Sequence, residues 1–220
     1  MFNDKKNILF DLDGTIIDSH DGVINCFIET LEHFGHIPPM KEDLSWCIGP
    51  PLFYSYNILV PGKDIEYIEE LVRYNRKIYG EKWVFHCKIF AGMGELITQL
   101  ASHKTLYTAT AKPQIFAEEI LAKLNIDHYF TKIYGSGIDG SLENKIELVK
   151  HIIIKENISP EESILIGDTK FDIVAAQGNN MDVIAVRWGY AQKNELEDNH
   201  PSVICHDIAQ LARLISSSPR

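Results

Sequence analysis

The sequence predicts an α/β protein: a doubly wound parallel sheet with helices on both faces, interrupted by an inserted helical segment. Three observations carry this. Short apolar runs such as Ile8-Leu9-Phe10 and Ile164-Leu165-Ile166 show no alternation, as in strands buried on both faces. From about residue 88 onward such runs alternate with segments of helical periodicity, the pattern of a parallel sheet with crossover helices. Between residues 19 and 87 the alternation stops and only helical patterns remain. The expected division is a catalytic core of residues 1–18 and 88–220, with an inserted helical lid at 19–87.

The first strand, over residues 8–10, runs into Asp11-Leu12-Asp13-Gly14-Thr15. In an extended backbone Asp11 and Asp13 project to one side. Gly14 permits a turn that a Cβ would resist. Residues 16–19 read as an exit loop, with Ser19 or Asp21 capping the next helix. Val23, Ile24, Phe27, Ile28, Leu31 and Phe34 give that helix its apolar face, and Gly35 with Pro38-Pro39 closes it. A short helix through Leu44 and Trp46 leads to Ile48-Gly49-Pro50-Pro51-Leu52, stiffened by its prolines. A further helix holds Leu52, Tyr56 and Leu59 and breaks at Pro61-Gly62. Asp64 caps the next, whose buried stripe is Ile65, Ile68, Leu71 and Val72, and Gly80 ends it.

Beyond Lys88, a helix opening at residues 90–94 carries Leu96, Ile97 and Leu100. A strand is expected over 105–110, with Pro113 in the first turn of a helix reaching Leu124. Ile133-Tyr134 reads as a brief strand, and residues 144–156 as a helix with Leu148, Val149 and Ile152. The strand at 164–166 ends in Gly167-Asp168, before a helix from about Phe171. Residues 183–186 form the next strand, Val203-Ile204 an edge strand, and Ile208, Leu211 and Leu214 mark the last helix.

Composition narrows the class. The 220 residues are 45% hydrophobic and 24% charged, ordinary for a soluble globular chain able to bury a full core. A formal charge of −10 argues against nucleic acid or an anionic membrane as the main partner. An anionic substrate then needs local positive charge, from a metal or from placed Lys and Arg. No apolar run is long enough to span a bilayer, and residues 1–6 lack the apolar stretch of a signal peptide, so a cytoplasmic location is expected. Cys26, Cys47, Cys87 and Cys205 form no paired motif and read as free thiols.

Two acids at a strand's carboxyl end suit metal-assisted phosphoryl chemistry. Asp11 can attack phosphorus and Asp13 can hand a proton to the departing oxygen. Mg2+ would let a carboxylate approach an anionic phosphate. Ligands in open α/β sheets sit at the carboxyl ends of strands, so the other strand ends matter. Thr110-Ala111-Lys112-Pro113 offers a hydroxyl and a helix N-terminus for phosphate oxygens, and equally describes a plain strand end. Asp168 and Asp172 suit a hard cation, and equally describe a helix cap beside a solvated acid. Lys145 has no local signature and reads by itself as a surface lysine.

Asp11-Leu12-Asp13-Gly14-Thr15 resembles the first motif of the haloacid dehalogenase superfamily in its phosphatase form. Thr110 resembles the second motif, Lys145 the third, and Gly167-Asp168 with Asp172 the fourth. The resemblance covers nearly the whole chain and implies a Rossmann-like core. It implies Asp11 as nucleophile, Asp13 as acid/base, and Thr110 and Lys145, with Ala111 and Lys112 beside them, on the phosphoryl group. It implies Mg2+ held by Asp11, the backbone carbonyl of Asp13 and Asp168, with Asp172 either a ligand or a support behind them. The insert looks like the superfamily's small α-helical cap, and Gly49 and Pro50 lie in what resembles its substrate-specificity loop. Arg76 resembles a cap position that faces substrate in the phosphoglycolate phosphatase-like and 5′-nucleotidase-like branch, although a solvated helix face fits it as well. Lys112 follows that branch's pattern, as does Trp188-Gly189-Tyr190, whereas Ala111 stands where Asn or Ser is frequent.

The activity implied is Mg-dependent hydrolysis of a small phosphomonoester, phosphoglycolate or a nucleoside 5′-monophosphate, through an aspartyl-phosphate. A phosphosugar mutase of the β-phosphoglucomutase type would keep the same residues. A dehalogenase is disfavoured, because carbon–halogen displacement does not require the acid/base that Asp13 supplies. The non-enzymatic reading is an inactive regulatory protein that binds a phosphorylated metabolite. The partner in each phosphate-based reading is a small anionic phosphorylated metabolite, with neither nucleic acid nor membrane, and the chain suits a monomer or a homodimer.

Overall fold

A computed structural model describes residues 2–216. In chain order its elements are β1 (Asn7–Phe10), β2 (Ile17–Asp18), α1 (His20–His33), α2 (Leu52–Leu59), α3 (Ile65–Ile78), β3 (Lys88–Ile89), α4 (Met93–Ala101), β4 (Thr105–Thr108) and β5 (Thr110–Pro113). They continue with α5 (Gln114–Lys123), β6 (Gly135–Ser136), α6 (Lys145–Glu156), β7 (Ser163–Gly167), α7 (Lys170–Gly178), β8 (Asp182–Val186), α8 (Glu195–Asp198), β9 (Val203–Cys205) and α9 (Ile208–Ile215).

Five strands form a parallel sheet in the order β4-β1-β7-β8-β9. Successive side chains of β1 leave opposite faces. Ile8 and Phe10 enter a core with Leu96, Ile97 and Leu100 of α4 and Leu211 of α9. Leu9 enters the other, with Leu148 and Val149 of α6 and Ile173 of α7. The expected doubly wound architecture is therefore present, and the absence of alternation in β1 and β7 has its cause: both faces are covered. Chain direction across the sheet reverses at β1, which places a topological switch point at the carboxyl end of that strand.

The segment between β2 and β3 is helical, and α1, α2 and α3 bury a core of their own. Ile24, Phe27 and Leu31 meet Tyr56, Ile68 and Leu71 there. Asp64 caps α3 as expected, accepting from the backbone N–H of Tyr67 at 2.9 Å. Among the described residues no helix is long and apolar enough to cross a membrane, and all four cysteines are free.

Several elements differ from expectation. The exit loop over 16–19 contains β2, which pairs antiparallel with β3, so the chain's two crossings between core and insert lie side by side. Neither Ser19 nor Asp21 caps α1 through its side chain; Asp18 Oδ1 accepts from the His20 N–H instead, at 3.2 Å. Ile65 is exposed at the start of α3, whose stripe continues through Asn75 and Ile78. Gly80 does not stop the chain's helical path: α3 passes into a π turn, Tyr79–Trp83, and Gly80 lies within it. A Cβ on Gly80 would stand 2.8 Å from the Phe116 ring, so the glycine lets the turn press against α5.

The strand expected over 105–110 is two strands. Ala109 N–H still donates to Phe10 of β1 at 2.7 Å, while Thr110 N–H donates to Tyr134 O at 3.3 Å, beside β6. The chain thus changes partners there. Pro113 ends β5 as the residue before α5 rather than sitting in its first turn. The brief strand is Gly135–Ser136, because Tyr134 is engaged by the Thr108 hydroxyl.

Candidate active site

The site begins where β1 ends. Asp11 N–H donates to Ile166 O at 2.8 Å, so the extended pairing with β7 runs one residue past the strand. Asp168 follows β7, and Asp172 lies in the first turn of α7, where it and Thr169 cap each other reciprocally. Oxygens of Asp11, Asp168 and Asp172 all lie within 4.8 Å of one another, and all three residues are buried. Lys145 enters from the N-terminus of α6, whose cap Asn144 accepts from the Ile146 N–H at 2.9 Å. Its ammonium is 2.8 Å from Asp11 Oδ1 and 2.6 Å from Asp172 Oδ1. The residue that by itself read as a surface lysine is thus buried between two acids.

Burial pushes the Asp11 carboxyl up to about 7, with Lys145 opposing and Asp172 adding to the rise. Burial and then the Asp11 charge hold Asp168 well above its usual range. For Lys145 the two acids outweigh burial and hold its ammonium above the usual lysine range. Three acids against one lysine leave uncompensated negative charge, which suits a divalent cation. The oxygens differ in availability. Asp172 Oδ2 accepts from both the N–H (3.1 Å) and the hydroxyl (2.9 Å) of Thr169, so both of its oxygens are engaged. Asp168 Oδ2 accepts from Tyr190 N–H at 2.7 Å, and its Oδ1 has only a long contact from the Thr15 hydroxyl, 3.5 Å. The free oxygens that could hold a cation are therefore on Asp11 and Asp168, while Asp172 braces Lys145.

This electrostatic arrangement sets a pH dependence. A carboxyl raised from 3.8 to about 7 on folding makes the native state bind more protons than the unfolded chain in that interval. Its stabilising contribution is complete below the unfolded value and lost as pH rises through about 7. Without metal, the melting temperature is expected to be several degrees lower near pH 8 than near pH 5. Mg2+ is expected to raise it more at the higher pH. Thermal melts in chelator and in Mg2+ at both values check this.

Two glycines hold the Asp168 carboxylate. A Cβ on Gly14, which has φ +81°, or on Gly189 would overlap it. The segment around Gly189 is pinned to the loop after β1. Trp188 Nε1 donates to Thr15 O at 3.1 Å, and Tyr190 Oη donates to Asp18 Oδ1 and accepts from the Ser19 N–H, both at 2.9 Å.

A cleft lies between this site and the helical insert. Asp11, Asp13, Thr110 and Ala111 line its core side; Gly49, Pro50 and Arg76 line the other. The Thr110 hydroxyl accepts from the Lys112 N–H at 3.2 Å. Asp13 Oδ2 lies 3.2 Å from the Lys112 ammonium, while Asp13 Oδ1 is buried and has no partner. Lys112 is buried and also donates to Tyr79 Oη at 2.6 Å. Burial pushes the Tyr79 hydroxyl up to about 12. Arg76 does not lie on a solvated face: it donates to Ile138 O at 3.0 Å and pairs with Glu143 at 3.2 Å. Glu143 also accepts from the Leu52 N–H at 3.3 Å. No local spacing in the sequence marks Tyr79 or Glu143; their contacts arise across the cleft.

Residues 8–186 match the family model described as haloacid dehalogenase-like hydrolase. A relative from Pseudomonas aeruginosa named 5'-nucleotidase is 34% identical, over 96% of this chain and 96% of its own. A relative from Mycobacterium tuberculosis named tyrosine-protein kinase PtkA is 28% identical, over 90% of this chain and 68% of its own. A crystal structure of a predicted phosphatase from Clostridium acetobutylicum superposes with a TM-score of 0.91 at 29% identity, covering 96% of this chain and 97% of that one. With a family match spanning the sheet from β1 to β8 and both of its acidic strand ends, the chain belongs to the haloacid dehalogenase-like hydrolases.

Proposed function

We propose that this hydrolase is a phosphatase that cleaves a small phosphomonoester through an aspartyl-phosphate on Asp11. The observation that carries the reading is the buried Asp11–Asp168–Asp172 cluster, partly offset by a single lysine, with Asp11 lining the cleft. Asp11 attacks phosphorus while Asp13 gives a proton to the leaving oxygen. Asp13, then a carboxylate, takes a proton from the water that releases phosphate. Thr110 and the Ala111 backbone receive phosphoryl oxygens, and Lys145 offsets their charge beside Asp11. Mg2+ would be held by Asp11, Asp168 and the Asp13 carbonyl, where it supplies positive charge against the phosphoryl oxygens.

Residues 1–18 and 88–220 form the catalytic core in this reading, and 19–87 a cap that excludes water during the first step. Gly49, Pro50 and Arg76 select the substrate from the cap side. The substrate is a phosphoglycolate- or nucleoside 5′-monophosphate-class metabolite. The 5'-nucleotidase relative, aligned over 96% of both chains, supports testing nucleotides first. The setting is the cytoplasm, with the enzyme a monomer or a homodimer.

The test is phosphate release across a panel of metabolite phosphomonoesters, with and without Mg2+. Mg-dependent release from one chemical class is expected. Binding of phosphate analogues with no release from any member would overturn the phosphatase reading in favour of a binding protein. Isomer formation from a hexose 1-phosphate and a bisphosphate primer, in place of free phosphate, would overturn it in favour of a mutase.

A further inference from the structure

The helical insert places one polar group against the residue proposed as acid/base, and it does so through a lysine. The π turn Tyr79–Trp83 carries the chain out of α3 and over α5. There the Tyr79 ring meets Phe116 edge-on, with centroids 5.3 Å apart, and Gly80 leaves room for that contact. The packing fixes the Tyr79 hydroxyl beside the Lys112 ammonium, at 2.6 Å. The same ammonium reaches Asp13 Oδ2 at 3.2 Å, the longer of its two contacts. Lys112 is therefore shared. It holds one Asp13 oxygen and leaves the other, Oδ1, buried without a hydrogen-bond partner, on a residue that lines the cleft.

We infer that Tyr79 is a positioning residue for proton transfer: through Lys112 it orients the Asp13 carboxyl so that Oδ1 faces the leaving group. The inference rests on the reading of Asp13 as acid/base. A carboxyl whose two oxygens are interchangeable by rotation delivers a proton less efficiently than one held by a single oxygen, because the transfer needs a narrow donor–acceptor geometry. Tyr79 belongs to the insert, while Lys112 and Asp13 belong to the core. Seating the insert on α5 thus adds a second hold on the lysine that orients the acid, which links proton delivery to enclosure of the substrate.

The experiment is a leaving-group series. kcat/KM is measured with Mg2+ for substituted phenyl and alkyl phosphates of increasing leaving-group pKa, on the wild-type enzyme, Tyr79→Phe, Lys112→Met, the double variant and Asp13→Asn. Tyr79→Phe keeps the ring against Phe116 and removes only the hydroxyl. It is expected to lower kcat/KM about tenfold for alkyl phosphates and less than about twofold for nitrophenyl phosphate, which leaves without a proton. The slope against leaving-group pKa steepens accordingly. Lys112→Met is expected to steepen it more, and the double variant to match Lys112→Met, since the tyrosine acts through the lysine.

A parallel drop across the series, with slope unchanged, would show Tyr79 to be only a wall of the cleft and would overturn the inference. Additive losses in the double variant would overturn it too. Asp13→Asn separates the two levels. If it steepens the slope and Tyr79→Phe does not, the positioning role alone fails. If it leaves the slope unchanged, Asp13 is not the acid and the underlying reading fails with it.

Discussion

Replacing Asp11 by Asn is expected to lower turnover by about 10⁴-fold or more and to abolish transfer of phosphate from substrate to protein. The amide keeps the shape of the side chain but is a far weaker nucleophile. Its neighbours remain paired, because Lys145 still reaches Asp172 at 2.6 Å. Burial disfavours the Asp11 charge, so removing that charge is expected to leave the metal-free melting temperature unchanged or raised. Phosphate release and acid-stable labelling, on protein purified free of host phosphatases, measure both effects. Metal-dependent hydrolysis persisting in the variant would exclude Asp11 as the attacking group.

Lys145→Met is expected to cost stability as well as activity. It leaves Asp11, Asp168 and Asp172 buried within 4.8 Å of one another with no cation between them. Removing one partner of a buried ion pair costs about 3–5 kcal/mol, because the remaining charges stay desolvated. Turnover is expected to fall about 10³-fold or more, since the phosphoryl group would meet the acids without the ammonium. Denaturant unfolding in chelator reads the stability loss. That loss is expected to shrink in excess Mg2+ and toward acid pH, where either a metal or protons relieve the repulsion. A loss below about 1 kcal/mol in chelator would show that the ammonium does not balance this cluster.

Much of the core was legible in the sequence, for a local reason. Ile8-Leu9-Phe10 and Ile164-Leu165-Ile166 are buried on both faces, and an acid follows each, Asp11 at once and Asp168 after Gly167, so strand and site sit next to each other in the chain. Lys145 was different. Its acids come from β1's end and from α7, and nothing near it in sequence distinguishes it from an exposed lysine. The Arg76–Glu143 pair and the Tyr79–Lys112 bond are likewise products of docking. Lys112 was expected on the phosphoryl group from its place after Thr110. Its ammonium meets Asp13 and Tyr79 at the cleft wall, contacts that only the fold brings together. β2 and β3 are each two residues long, too short for periodicity, and each finds its partner only beyond the entire helical insert.

That two-residue ribbon has a mechanical consequence. Both strands of the ribbon leave the sheet at one place, so in the cap reading the helices between them would hinge there. Translation or shear would break the ribbon. Such a movement would break the contacts that join the helices to the rest of the chain, Arg76 with Glu143 and Tyr79 with Lys112. Tyr190 stands on the pivot: its hydroxyl holds Asp18 and Ser19 there, while its own N–H holds Asp168. A shift of that aspartate would therefore be felt first at the ribbon, through Tyr190.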